Sequence, residues 1–180
     1  MKQKKQSNRN VQVFSMLARG VLHAIPFNAA LAFLLGLDFI YNKVPRALVL
    51  TWLFAIISLS IIRWVSCFLL LKYEYFKTHY SVSFAVFYFL TFLMGASWGG
   101  SYFLFLPYLS ATYEGIFIVI LGGLAAGAMA SMSVSISVYY VYIISMFVPL
   151  IAYNFYLAEF DKTILAIMYI LFLSILFLNA

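Results

Sequence analysis

Between Gly115 and Ala158 the chain runs 44 residues without one Asp, Glu, Lys, Arg or His. As a single straight helix this stretch would reach roughly 66 Å, about twice the hydrocarbon thickness of a bilayer. It must fold back on itself, and the uncharged surface of both limbs needs an apolar solvent. The stretch therefore predicts a hairpin of two membrane-crossing helices. Its turn is expected in "SMSVSISVYY", residues 131–140, where serines and β-branched residues weaken a helix.

The rest of the chain agrees. It is 66% hydrophobic and only 9% charged, whereas soluble domains carry about 25% charged residues. The net charge of +6 raises the possibility of a nucleic-acid partner, but no basic stripe interleaved with aromatics is there to make one. Lys2, Lys4, Lys5, Arg9 and Arg19 instead precede a long apolar run, as topology signals do. Cys67 is the only cysteine, which excludes an intrachain disulfide and a CxxC metal site.

The expected fold is an all-α integral membrane bundle of six helices, near residues 17–37, 47–71, 82–106, 115–134, 137–157 and 164–178. A basic tail, 1–16, precedes them. The apolar segment 11–37 is longer than a signal-peptide core, so the first helix is expected to be retained. With the N-terminus in the cytoplasm, eight basic residues fall on the inner side and three on the outer, counting Arg19 and Arg63 as inner. The positive-inside rule then places both termini in the cytoplasm.

Gly123, Gly127 and Ser131 recur every four residues, with Gly122 beside them, and Gly95 and Gly99 repeat the spacing on the third helix. Lipid gives apolar helices little reason to associate, and small residues supply close backbone contact instead. These positions are expected to form tight helix–helix seams. A phosphate loop is excluded because its lysine is missing and no strand precedes it.

Arg63 is the one cation well inside a helix. It either snorkels or serves a structural hydrogen bond, or it couples to a ligand or signal. No acid lies at its depth, so carbonyls, hydroxyls or Asn28 are its expected partners. Asn28, near the helix-kinking Pro26, reads as interhelical glue or a ligand contact. Pro149 is expected to act on the fifth helix as Pro26 does on the first. Trp98, Tyr102, Tyr139 and Tyr140 flank the seam and read either as packing or as the lining of a pocket. His23 and His79 follow no ligand spacing, so no metal, haem or other cofactor is expected. No nucleophile–base pair or carboxylate pair lies in the core, and the chain alone is not expected to be an enzyme.

The segments "LSIIRWVSCFLLLKYEYF", "LMGASWGGSYFLFLP", "LGGLAAGAMASMS" and "YYVYIISMFVPL" resemble a multi-pass sensor module of bacterial inner membranes. Such modules precede diguanylate cyclase, phosphodiesterase or sensor histidine kinase domains. The matched positions are Arg63, Trp98, Gly99, Pro107, Gly123, Gly127, Tyr139 and Pro149. The resemblance implies signal input, a homodimer and a cytoplasmic signalling partner. The sequence ends at "LFLNA", so the output would belong to a longer form of the chain or to that partner. The residues themselves leave a second expectation, a small transporter or channel subunit whose path uses Asn28, Arg63 and the seam serines. A membrane scaffold is the third.

Overall fold

The structure, a computed structural model, describes the backbone of residues 2–179 and the side chains of residues 11–178. Six long helices follow one another: α1 (Lys2–Tyr41), α2 (Arg46–Lys72), α4 (Tyr80–Phe105), α5 (Ala111–Met132), α6 (Ile136–Leu157) and α7 (Phe160–Asn179). A single turn, α3 (Tyr75–Thr78), interrupts the connection after α2. No strand occurs among the described residues. All six long helices are long and apolar enough to cross a membrane, and this is a multi-pass membrane protein.

Large apolar side chains cover the outside: Phe27, Phe54, Val119 and Leu178 are each more than 70% exposed. In water such a surface would drive aggregation, whereas against acyl chains it costs nothing. Connections of two to seven residues force neighbouring helices to run in opposite directions. One end of the bundle thus carries the start of α1, the 73–79 connection, the 133–135 turn and the end of α7. The far end carries the other three connections.

The hairpin turn falls inside the serine-rich segment. Ser133 to Ser135 break the helix, and Ser135 leaves helical geometry at φ −139°, ψ 92°. Elsewhere the boundaries extend beyond expectation. α1 runs through the segment 1–16 from Lys2 onward, and the side chains of Lys2, Lys4, Lys5 and Arg9 lie outside the described residues. Pro26 and Pro149 lie inside helices that continue on both sides of them. The fourth helix begins at Ala111, earlier than 115, which brings Glu114 into its first turn.

α4 and α6 pack most extensively and form the axis of the bundle. They run parallel, and Gly95 and Gly99 are why they can touch. A Cβ on Gly95 would lie 2.5 Å from the Tyr142 carbonyl oxygen, and one on Gly99 would overlap the Met146 carbonyl. α2 flanks α4, α7 flanks α6, and α1 bridges α2 and α5.

The α5 seam is different, and the expectation of a tight contact there is corrected. A Cβ on Gly122, Gly123 or Gly127 would meet nothing within 4 Å. Only Ser131 sits in a close approach, its carbonyl oxygen 2.5 Å from where a Gly20 Cβ would stand. On α5 the glycines open space; on α4 they close it. Gly127→Leu is accordingly expected to leave folded yield and melting temperature unchanged, because the new side chain enters free volume. A loss of yield in a detergent-extraction assay would mean that α5 meets another helix there.

Candidate functional site

The space left by the α5 glycines is the centre of a site. α1 and α5 approach each other at Gly20 and Ser131, and again where Phe39 packs on Phe117 with ring centroids 6.1 Å apart. Between these heights they enclose a cavity of about 230 Å³. Asn28 of α1, Gly123 and Gly127 of α5, Arg63 of α2 and Tyr142 of α6 line it, with aliphatic residues such as Ile25 and Leu124. Phe27 lines it too and is 74% exposed; with the exposed Gly123 and Gly127 it marks a mouth on the lipid side.

Arg63 is 2% exposed and sits about 14 Å along α2 from its end at Lys72. Its Nη2 donates to Thr91 Oγ1 at 3.0 Å, and that hydroxyl in turn donates to the Phe87 carbonyl at 2.7 Å. The guanidinium carbon stands 5.8 Å from the centre of the Phe87 ring. Arg63 does not snorkel. No carboxylate meets it: the ion pairs among the described side chains are Lys77–Glu74 and Lys162–Glu114. Its Nε has no hydrogen-bond partner, and neither has Oδ1 of the buried Asn28. The guanidinium of Arg63 and the amide of Asn28 thus border one apolar cavity, while the two unpaired atoms, Arg63 Nε and Asn28 Oδ1, are closed off from it. Chemically, the arrangement can hold an anion out of water.

Aromatic side chains seal the bundle on either side of this cavity. Toward the far end, Trp52 packs edge-on against Trp98 and Phe105 at 5.7 and 5.3 Å, and Phe39 lies 4.2 Å from Phe105. Toward the N-terminal end, Phe14 stacks on Phe76 at 5.1 Å and approaches Phe84 and Phe87.

A second polar cluster stands at the far end. Lys162 Nζ donates to both oxygens of Glu114 at 2.6 Å, and Tyr102 donates its hydroxyl hydrogen to Glu114 Oε1 at 2.6 Å. Asn154 Oδ1 lies 3.2 Å from the same hydroxyl, and its amide donates to the Leu150 carbonyl. The pair is 17% and 12% exposed, so its strength falls between a surface pair at about 0–1 kcal/mol and a buried one at about 3–5. It pins the start of α7 to the start of α5. Lys162→Met is expected to cost about 1–3 kcal/mol in a thermal or denaturant melt, and Glu114→Gln in the same background to recover part of it by removing the stranded charge.

Of the residues expected to line a pocket, Asn28 and Arg63 line this cavity. Trp98 belongs to the aromatic seal and is fully buried, Tyr102 is committed to Glu114, and Tyr140 contacts α7 through the Phe177 carbonyl at 3.4 Å. Tyr139 is buried with its hydroxyl unpaired, away from the cavity lining. The sequence reading missed Tyr142 and Thr91. Tyr142 stands three positions after Tyr139, on the same helical face, which is the signal that could have drawn attention to it. His79 stacks on Tyr75 at 4.5 Å, and among the described residues no three His, Cys, Asp or Glu side chains come together. The chain matches no family model, no curated protein and no solved structure.

Proposed function

We propose that this chain is a membrane-embedded sensory module whose input site is the Arg63 cavity. One observation carries the reading: a buried guanidinium without a counter-charge borders a cavity that opens toward lipid. Intramembrane charges are costly and are retained for function by default. The cavity favours a receptor over a conduit. Its lining on α1 extends from Val21 to Leu31, about 15 Å, half the apolar thickness of a bilayer. The aromatic clusters occupy the bundle on both sides of it.

The proposed mechanism is a shift between two packings. The α4–α6 axis is fixed by backbone contact at Gly95 and Gly99, while α1 and α5 are parted along their middle and free to close or spread. A ligand that binds one arrangement better biases the equilibrium by its difference in affinity. With the end that carries the start of α1 placed inside, eight basic residues are inner and three outer, so the far end faces outward and both termini face the cytoplasm of a bacterial cell. The end of α7 then delivers the change to a dimeric cyclase or kinase, as the resemblance implies.

The test is a fusion of the C-terminus, in frame, to a diguanylate cyclase domain, with cellular cyclic di-GMP as readout. Gly127→Leu and Arg63→Met are expected to change output several-fold at equal membrane expression. Identical output from wild type and both variants would overturn the sensory reading. Solute flux in proteoliposomes that requires Arg63 would replace it with transport.

A further inference from the structure

We propose that the cavity takes the head of an amphiphilic anion: a single small acidic group, such as a carboxylate, on an alkyl tail that remains in the bilayer. The inference rests on reading the cavity as an input site, and it names what enters. Three features of the lining select this chemistry.

The first is charge. A guanidinium stays protonated inside proteins and offers donors in a planar fork suited to carboxylate or phosphate. Nη2 bonds Thr91 and Nε is sealed from the cavity, so Nη1 is the donor that Arg63 keeps for an anion.

The second is volume. About 230 Å³ equals roughly eight water-sized volumes at about 30 Å³ each. That accommodates an acidic group and the first few methylenes of a chain. The third is access. Phe27, Gly123 and Gly127 place the mouth against acyl chains, so the ligand arrives from the lipid phase, where an amphiphile is concentrated and a soluble anion is not. Gly123 and Gly127 then have a positive role: any side chain there would stand where the first methylenes pass.

The exposed face of α5 also suits a second copy of this chain, since small residues favour helix pairing in lipid. The Arg63 charge favours the small anion, because a dimer contact through glycines would leave it uncompensated.

The experiment uses the full chain in nanodiscs of phosphatidylcholine, titrated with dodecanoate and followed by thermal stability and native mass spectrometry. Saturable binding of about one dodecanoate per chain is expected. Arg63→Gln and Gly127→Leu should each weaken it about tenfold or more, the first by removing the charge and the second by filling the space. Gly127→Leu keeps the test decisive if Arg63→Gln fails to fold. Equal stabilisation by dodecanol would show that no anion is read, and equal stabilisation by acetate would show a soluble ligand; either overturns the proposal. So does a Gly127→Leu chain that changes from dimer to monomer while binding dodecanoate as wild type does. Saturable, Arg63-dependent binding that leaves the cyclase fusion's output unchanged would uphold this site and remove the sensory reading. A fusion that responds to the variants while the chain binds no dodecanoate would do the reverse.

Discussion

Arg63→Met is expected to stabilise the unliganded protein by about 1–4 kcal/mol, the range seen when a buried ion pair or triad is replaced by apolar residues of similar volume. The reasoning is a comparison of two costs. Keeping Arg63 charged and 2% exposed takes a guanidinium from water into the apolar interior, a penalty of several kcal/mol after relaxation. Against this stand one charge-assisted hydrogen bond to Thr91 and a ring face at 5.8 Å, together worth on the order of 2–4 kcal/mol. Methionine removes the penalty, fills most of the volume with a flexible chain, and leaves Thr91 still bonded to the Phe87 carbonyl. In a thermal melt the gain amounts to on the order of 2–4 °C per kcal/mol. Adding dodecanoate should then raise the melting temperature of wild type and leave that of the variant where it is. If Arg63→Met instead lowers stability, the guanidinium already has its counter-charge within the folded chain. The cavity would then lose its reason to bind an anion.

The sequence discloses the helices because lipid makes few demands that composition does not reveal. An apolar run of the right length between polar breaks is nearly the whole requirement, and 115–158 had to become two spans. Arg63 and Asn28 stood out for a related reason: polar groups are rare at that depth, so each is visible against its background. Asn28 was among the partners expected for Arg63, but that both would line one cavity beside the α5 glycines was not legible, since helix order in space is set by contacts between side chains far apart in sequence.

The glycine stripes show the limit most clearly. Gly95 and Gly99 on α4 and Gly123 and Gly127 on α5 have the same spacing and opposite surroundings. A missing side chain permits either a close backbone or an empty volume, and only the neighbouring helix decides between them. The bounds of α5 matter in the same way. Glu114 reads as a loop residue until the helix is seen to begin at Ala111, and only then does it reach Lys162 and Tyr102.

Gly99→Ala tests the other half of that contrast. A methyl group at this position would overlap the Met146 carbonyl oxygen, whose own carbon and Cα lie just behind it. Backbone cannot rotate aside as a side chain does, so the two helices must separate along their length. Separation would loosen Trp98, Tyr142 and Met146, all buried in the same interface. Overpacking typically costs about 1–3 kcal/mol and more when nothing can yield; here the expected loss is about 3 kcal/mol or greater, enough to empty the folded fraction of a marginally stable chain. The adjacent Gly100→Ala supplies the control within one turn of the same helix. A Cβ there meets nothing within 4 Å, and alanine in place of helical glycine should gain about 0.5–1 kcal/mol. Unfolding in mixed micelles, followed by tryptophan fluorescence, should separate the two variants in opposite directions from wild type. Equal behaviour would mean that α4 and α6 do not touch through their backbones. The fixed axis that the proposed shift of α1 and α5 requires would then have to be sought elsewhere in the bundle.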